Sequence, residues 1–178
     1  TVDSLSLDGF YAGNLDLTAD YNHFKGALDI HSSIFRDGQR MVGFNGYFKP
    51  SSPDKKEEFR FMANLNKAEL NLLNPIFAGV ITDMGGQATG DFEISGNFQD
   101  INVKGKGYVE GGKLKVPYLG STYFFDDNIY LEDNLIGFKK MRIRDVNGNT
   151  GVIDGGLYHD SFSNFLVNIK GSMNKLQM

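Results

Sequence analysis

Residues 88–109 have the sequence ATGDFEISGNFQDINVKGKGYV, and this stretch decides the fold class. Small or apolar residues alternate with polar ones in two runs, which are Ala88, Gly90, Phe92, Ile94 and then Ile101, Val103, Gly105, Gly107, Val109. A period of two residues places alternate side chains on opposite faces of a β-strand. The stretch therefore predicts two strands, each with one apolar and one polar face.

The same alternation recurs through most of the chain. It is present in five further segments, which are Leu15 to Tyr21, Phe24 to Ile30, Val42 to Phe48, Phe59 to Leu65 and Phe165 to Ile169. Asp-Gly, Asn-Gly and Gly-Gly pairs separate many of the segments, and these pairs supply the positive φ angles of tight hairpins. We therefore predict a mostly-β protein, a meander of about ten or more antiparallel strands that each pair with a sequence neighbour.

An apolar sheet face of this length must be buried against something. Either the sheet folds onto itself, or a molecule other than protein fills the space. The chain has 22 glycines in 178 residues, against an average near 7%. Several of them fall in the apolar register, namely Gly26, Gly46, Gly90, Gly96, Gly105 and Gly107. Glycine within a strand indicates bulges and bends, so we expect a long, curved sheet. The missing side chains could also keep an apolar groove from closing.

One segment departs from the strand pattern. Asn66 followed by Glu69 resembles a capping box, and apolar residues then recur at helical spacing from Leu70 to Ile81. Pro75 is expected to end or kink such a helix. The spacing predicts one short helix over residues 67–80, packed on the sheet through Leu70, Leu73 and Phe77.

Composition excludes several classes of protein and site. The net charge of −4 argues against a nucleic-acid partner and against a polybasic membrane-binding surface. The absence of cysteine excludes disulfides and thiolate metal sites. The longest apolar run, Ile76 to Ile81, is far shorter than the roughly 20 residues that span a bilayer. We expect a single domain over residues 1–178, cut from a longer protein whose membrane anchor lies outside this chain.

No catalytic motif is visible. His23, His31 and His159 stand in unrelated contexts, so they predict neither a metal site nor a nucleophile–base pair. The acidic pairs at 126–127 and 132–133 lack EF-hand spacing and are better explained as turn residues. Sugar binding on stacked aromatic residues is disfavoured because tryptophan is absent. We expect a protein that is not an enzyme and that needs no cofactor.

The order of motifs in residues 66–178 resembles the C-terminal region of the TamB family, the inner-membrane component of the translocation and assembly module, in its Bacteroidetes-like form. TamB belongs to the wider AsmA-like family. The motifs are Gly85-Gly86-x-x-x-Gly90 before Phe92 to Gly96, Gly105-x-Gly107 to Leu114, Val116 to Gly120 before Tyr123, Ile129 to Leu131, Asp145-x-x-Gly148-Asn149, and Gly155-Gly156-Leu157-x-His159-x-x-Phe162. Residues 1–65 share only the general strand character.

The resemblance implies a fold, a location and a role. Members of the family resemble periplasmic β-proteins anchored in the inner membrane, with the sheet rolled into a half-tube, or β-taco, around an apolar interior. Two roles are attached to the family: a conduit for phospholipid between the inner and outer membranes, and assistance to an Omp85-type barrel in assembling outer-membrane proteins. The family supplies no catalytic residues.

We therefore predict an apolar groove that shields the acyl chains of phospholipids. The predicted groove-lining residues share the apolar register, and they are Leu28, Ile30, Phe44, Phe61, Phe92, Ile94, Val103, Val109, Leu114 and Val116. A second hypothesis is a chaperone-like scaffold whose exposed strand edges pair with outer-membrane protein clients. A third is a filled, inert β-sandwich that serves as a spacer. The sequence does not decide between them.

Overall fold

The computed structural model describes residues 1–7 and 9–174, which form one antiparallel sheet of eleven strands in the order β1 to β11. The predicted meander is therefore confirmed, since every strand pairs with its sequence neighbours. The strands are β1 Val2–Leu7, β2 Phe10–Asn22, β3 Ala27–Arg36, β4 Gln39–Lys49, β5 Glu58–Glu69, β6 Thr82–Asn97, β7 Asp100–Val116, β8 Ser121–Glu132, β9 Leu135–Asp145, β10 Thr150–Asp160 and β11 Ser163–Asn174.

Short turns between strands produce this topology. The turn between β3 and β4 contains Asp37 and Gly38, whose φ angles are 51° and 75°. Positive φ at both central residues is the geometry whose twist matches that of the flanking strands. The Asp-Gly signal in the sequence thus marks the hairpin that the structure contains.

The sheet is open. Its first and last strands, β1 and β11, each have a strand neighbour on one side only. The longest strands, β6 and β7, have 16 and 17 residues and lie side by side in the middle of the sheet. Their hairpin is the one formed by residues 88–109, where Phe92 pairs with Gly105 and Ile94 with Val103.

The predicted helix over residues 67–80 is mostly wrong. Strand β5 continues to Glu69, and only Leu70–Leu73 form a helix, of the 3-10 type. Turns occupy most of the remaining segment up to Val80. A second 3-10 helix covers Pro117–Leu119. We call residues 70–81 the connector, because they join β5 to β6.

Strand pairing and backbone conformation explain the missing helix. Ala68 pairs with Ala88 and Glu69 with Gln87, so the start of the expected helix is held in the sheet. Asn66 does not cap a helix, since its side-chain amide donates to the carbonyl oxygen of Arg40. Further on, Pro75 lacks a backbone N–H, and Gly79 has a φ of 92°. A continuous helix is incompatible with these features.

The connector nevertheless packs on the sheet through the predicted side chains. Leu70 is buried with Ala88 and Val109, and Leu73 packs against the same cluster. Phe77 and Ile81 are buried in a larger cluster, whose other members lie on β8, β9 and β10 and are Tyr123, Phe138, Met141, Ile143, Ile153 and Leu157. The hydrophobic core therefore lies between the connector and the second half of the sheet.

Two glycines mark places where neighbouring strands come unusually close. A Cβ added at Gly46 would collide with the carbonyl oxygen of Arg60, and one added at Gly90 would collide with that of Lys106. Any side chain would force the strands apart there. Gly26, in contrast, lies in the turn between β2 and β3 and not in a strand, so its predicted place in the apolar register is wrong.

Candidate functional site

The two faces of the sheet differ in chemistry. One face carries ion pairs. Arg60 on β5 pairs with Glu93 on β6 at 3.7 Å, and Lys104 on β7 pairs with Asp133 in the turn after β8 at 2.9 Å. Asn64 donates to Asp91 on the same face, at 2.8 Å. We call this the polar face. The side chains between these residues along each strand point to the opposite, apolar face.

The strand register aligns apolar side chains in rows that cross the sheet. In one row Ile30 lies opposite Gly46, which lies opposite Phe61; Phe61 in turn lies opposite Ile94, and Ile94 opposite Val103. These residues belong to the five consecutive strands β3 to β7. Adjacent strands lie about 4.8 Å apart, so the row extends for roughly 19 Å.

The register places all of the predicted groove-lining residues on the apolar face. Phe92 and Val109 are buried, with exposed fractions of 7% and 1%. The other predicted residues are half-buried, and they are Leu28, Ile30, Phe44, Phe61, Ile94, Val103, Leu114 and Val116. That any of them contacts a lipid stays a prediction.

Part of the apolar face is covered by the connector. Val109 contacts the cluster that contains Leu70, and Leu114 and Val116 pack against the cluster that contains Phe77 and Ile81. At these three predicted positions the apolar face is therefore covered by side chains of the connector. A molecule bound there would have to displace the connector.

The remaining part is not packed in this way. Seven of the predicted residues belong to neither hydrophobic cluster of the described chain. One of the seven, Phe92, is buried at 7% exposure. The other six are half-buried, and we call them the uncovered apolar face: Leu28, Ile30, Phe44, Phe61, Ile94 and Val103. They lie on β3 to β7, beside the covered part. The apolar face continues onto β2, where Leu17 and Tyr21 are each 53% exposed. The alternation over residues 15–21 predicts this strand. The predicted set of groove-lining residues, however, does not include Leu17 or Tyr21.

An aromatic group borders the uncovered apolar face at one end of the strands. Phe98, in the turn between β6 and β7, lies 5.8 Å from both Phe48 and Phe59 between ring centroids. Phe59 stacks on Phe61 at 6.0 Å. Phe98 itself is 65% exposed. The sequence pattern did not reveal it, because it falls in a turn.

The glycines leave less space than expected. The Phe92 ring lies against Gly105 and Gly107. A Cβ added at Gly105 would be 2.7 Å from the Phe92 Cδ1, and one added at Gly107 would be 2.9 Å from the Phe92 Cζ. Phe125 lies in the same way against Gly112, where an added Cβ would be 2.8 Å from its Cζ. At these positions the rings fill the space that the missing side chains leave. Open apolar surface is therefore found at the uncovered apolar face and not at these glycines.

The acidic pair at 126–127 lies within strand β8 and not in a turn, so the turn prediction is wrong for this pair, whereas Asp133 does lie in the turn after β8. The carboxylates of the pair have structural partners. Asp126 accepts a hydrogen bond from the Gly111 N–H at 2.5 Å, and Asp127 accepts one from the Arg142 N–H at 3.3 Å. The Asp127 bond lies where regular pairing between β8 and β9 is interrupted. Elsewhere in the sheet, the Tyr47 hydroxyl of β4 donates a hydrogen bond to the Glu58 carboxylate of β5. This hydrogen bond lowers the pKa of the Glu58 carboxyl.

His159 is the one buried histidine of the described residues. Its ring stacks on Phe162 with centroids 4.4 Å apart, and its Nδ1 accepts a hydrogen bond from the Phe162 N–H at 3.3 Å. Burial lowers the pKa of His159, because desolvation disfavours the charged ring. The nearby Asp160 carboxylate opposes this shift. Burial therefore favours the neutral form of the His159 ring.

Within the described residues, no group of three or more His, Cys, Asp or Glu side chains is arranged to hold a metal ion. No helix in that same part of the chain has both the length and the apolar character needed to cross a membrane. Comparison of the chain with protein-family models, with curated proteins and with solved structures gives no match.

Proposed function

We propose that this chain is a periplasmic segment of a TamB-like or AsmA-like protein, and that its apolar face shields phospholipid acyl chains on their way between the inner and outer membranes. The proposal combines the motif order in residues 66–178 with the chemistry of the sheet. In the full-length protein, a segment outside this chain anchors it in the inner membrane.

The observation that carries the proposal is the uncovered apolar face. Ile30, Phe61, Ile94 and Val103 share one row across consecutive strands, and neither cluster of the described residues includes them. A row of roughly 19 Å is comparable in length to one extended acyl chain. Burial of each CH₂ group contributes about 0.8 kcal/mol, so even a loosely fitting apolar surface binds such a chain.

Contacts between distant strands support a sheet rolled into a half-tube. The connector lies against β11 through Phe77 and Phe165, whose ring centroids are 5.4 Å apart. Its 3-10 helix also approaches β2 to within 8 Å between Cα atoms. A segment that reaches strands near both edges of an eleven-stranded sheet favours a concave apolar face.

Two polar contacts favour the same curvature. Arg36, at the end of β3, donates to the carbonyl oxygen of Tyr11 on β2 and pairs with Glu69 at the end of β5. On the other side of the sheet, the Ile101 N–H of β7 donates to the Ser161 hydroxyl in the turn between β10 and β11, at 3.3 Å. The Arg36–Glu69 pair passes over β4, and the Ile101–Ser161 bond passes over β8 and β9, as expected for a sheet that bends about its apolar face.

The edge strands favour a second candidate function. On β11, Leu166, Val167 and Ile169 are 65%, 54% and 40% exposed. An exposed apolar edge can accept a further strand by backbone hydrogen bonds. In this alternative the chain is a scaffold that helps an Omp85-type barrel to assemble outer-membrane proteins, and the edge of β11 receives their unfolded strands.

Mass spectrometry of organic extracts from the purified protein tests the first proposal. We expect phospholipid to be recovered at roughly one molecule or more per chain after detergent-free purification. A matched variant, Ile94→Glu, should carry much less lipid because a charge interrupts the apolar row. Protein that is free of lipid in both forms would contradict shielding of acyl chains.

Hydrogen exchange distinguishes the alternative. A peptide with the sequence of an outer-membrane barrel strand should protect the amides of β11 if the edge accepts clients. Amides of the central strands β6 and β7 serve as the internal control, since they are already paired on both sides. Unchanged exchange at β11 at saturating peptide would exclude strand pairing at that edge.

A further inference from the structure

We propose that the polar face of β9 contains a binding site for a phosphate group, formed by Arg142 and Arg144. The site lies on the opposite face from the uncovered apolar face, and it does not depend on the function proposed above. Its ligand class is a phosphate ester, either the headgroup of an anionic phospholipid or a free phosphate.

Strand β9 carries several cations without ion pairs close together in the sequence. Lys104, Arg60 and Lys49 each form an ion pair with a carboxylate on a neighbouring strand or hairpin. Arg142 and Arg144 form no ion pair with any of the described residues, and the same holds for two lysines beside them, Lys139 and Lys140. Four cations within six residues thus have no ion-pair partner among the described residues, in a protein whose net charge is −4.

Two of the four cations lie over aromatic rings. The Arg144 guanidinium is 5.7 Å from the centroid of the Phe124 ring, and the Lys139 ammonium is 5.4 Å from that of Tyr130. A ring face holds a cation in place without neutralising its charge. Arg144 is therefore oriented while its N–H donors remain available to an anion.

A hollow opens at the same place. Arg142 and Arg144 line it together with Phe124 and Val152, and the hydroxyl-bearing residues Thr150 and Ser172 complete the wall. Cross-strand register explains the grouping, because Arg144 lies opposite both Phe124 and Thr150, and Arg142 lies opposite Val152. Residues two apart on a strand face the same side at about 7 Å, so both guanidinium groups can reach one phosphate.

Arginine suits this ligand chemically. Its planar guanidinium offers paired N–H donors that match the oxygens of a phosphate. Phe124 and Val152 add an apolar wall that can contact the organic part of an ester. The single carboxylate in the lining is Asp126, which would oppose an anion. Asp126 therefore provides a variant with the opposite expected sign.

The test uses the purified chain and two probes, glycerol phosphate and vesicles of phosphatidylcholine with or without phosphatidylglycerol. We expect at least one phosphate probe to bind, and the binding to weaken about tenfold in Arg142→Gln and in Arg144→Gln. Lys104→Gln changes the net charge equally on the same face but at an ion-paired position, and it should leave binding unchanged. Asp126→Asn should strengthen binding several-fold.

The two probes separate the sources of the phosphate. Binding to glycerol phosphate as well as to vesicles indicates a site for the phosphate ester itself, and binding only to phosphatidylglycerol vesicles assigns the ligand to a lipid headgroup. Binding that Lys104→Gln weakens as much as Arg142→Gln would overturn the proposal, because net charge alone would then explain it. An absence of binding to both probes would overturn it as well.

Discussion

The ring of Phe77 in the connector packs against the ring of Phe165 on β11, with centroids 5.4 Å apart and planes inclined by 37°. Phe77 belongs to the segment between β5 and β6, whereas Phe165 lies on the last strand. This contact joins the middle of the chain to its final strand.

Removal of the Phe77 ring should destabilise the fold. Phe77 is 7% exposed and lies in the largest hydrophobic cluster. Phe77→Ala is expected to lower the free energy of unfolding by about 3–5 kcal/mol, measured by urea denaturation. Phe24→Ala is the control, because Phe24 is fully exposed in the turn between β2 and β3. Equal stability of the two variants would show that the connector is not anchored by Phe77.

A charge should be tolerated at Ile94 and not at Val109. Both residues lie on the apolar face, but Val109 is 1% exposed beneath the connector, whereas Ile94 is half-buried on the uncovered apolar face. We expect Val109→Glu to cost about 3 kcal/mol or more, since the carboxylate is buried without a partner. Ile94→Glu should cost about 1 kcal/mol, because its charge reaches water.

Thermal unfolding of the two variants provides the measurement. If Ile94→Glu unfolds the protein as completely as Val109→Glu does, the face at Ile94 is packed. That result would favour a filled sandwich over an open apolar surface.

We expect that only glycine fits at position 46, because β4 and β5 approach each other closely there. Gly46→Ala places a methyl group against the Arg60 carbonyl oxygen, and we expect a loss of about 1–3 kcal/mol in the free energy of unfolding. Gly85→Ala is the matched control, since its Cβ would meet only the Lys113 Cβ, at 3.8 Å. Urea denaturation compares them, and a stable Gly46→Ala protein would contradict the strand spacing found here.

Stability should fall in mild acid through His159. Its pKa is lowered in the folded protein from the ordinary value of 6.5, so the unfolded chain binds more protons between these two pKa values. The neutral His159 ring makes its full contribution to the free energy of unfolding above about pH 6.5. That contribution is lost as the pH falls from about 6.5 through the lowered pKa of the folded protein. Protonation of Nδ1 would also remove the acceptor of the Phe162 N–H.

Urea midpoints at a series of pH values measure this effect. His159→Phe should show a smaller loss of stability on acidification than the wild type. His23→Gln, a change at an exposed histidine, serves as the control and should keep the wild-type profile. A profile of His159→Phe that is identical to the wild-type profile would assign the acid sensitivity to other groups.

Local pattern was sufficient to predict the sheet but not the connector. Alternation and Asp-Gly pairs act over a few residues, so the strands and the Asp37-Gly38 hairpin could be inferred from the sequence. The helical spacing from Leu70 to Ile81 correctly indicated which side chains face the sheet. It could not reveal that Ala68 pairs with Ala88, a longer-range interaction that continues β5 into the expected helix.

The candidate site was predictable to a similar extent. A period of two residues assigns Ile94 and Val109 to the same face, and the structure places them there. The period does not indicate that the connector covers Val109 and leaves Ile94 uncovered, because this depends on how residues 70–81 cross the second half of the sheet. The hollow beside Arg142 and Arg144 likewise depends on residues of β8, β10 and β11 that only the register brings together.

Site-specific photo-crosslinking tests the central claim most directly. A benzophenone side chain is introduced at Val103, on the uncovered apolar face, or at Tyr108, which is 45% exposed on the polar face of the same strand. After irradiation in cells that contain labelled phospholipid, the account predicts a lipid adduct at position 103 and none at position 108. Equal labelling at both positions, or no lipid adduct at position 103, would contradict it.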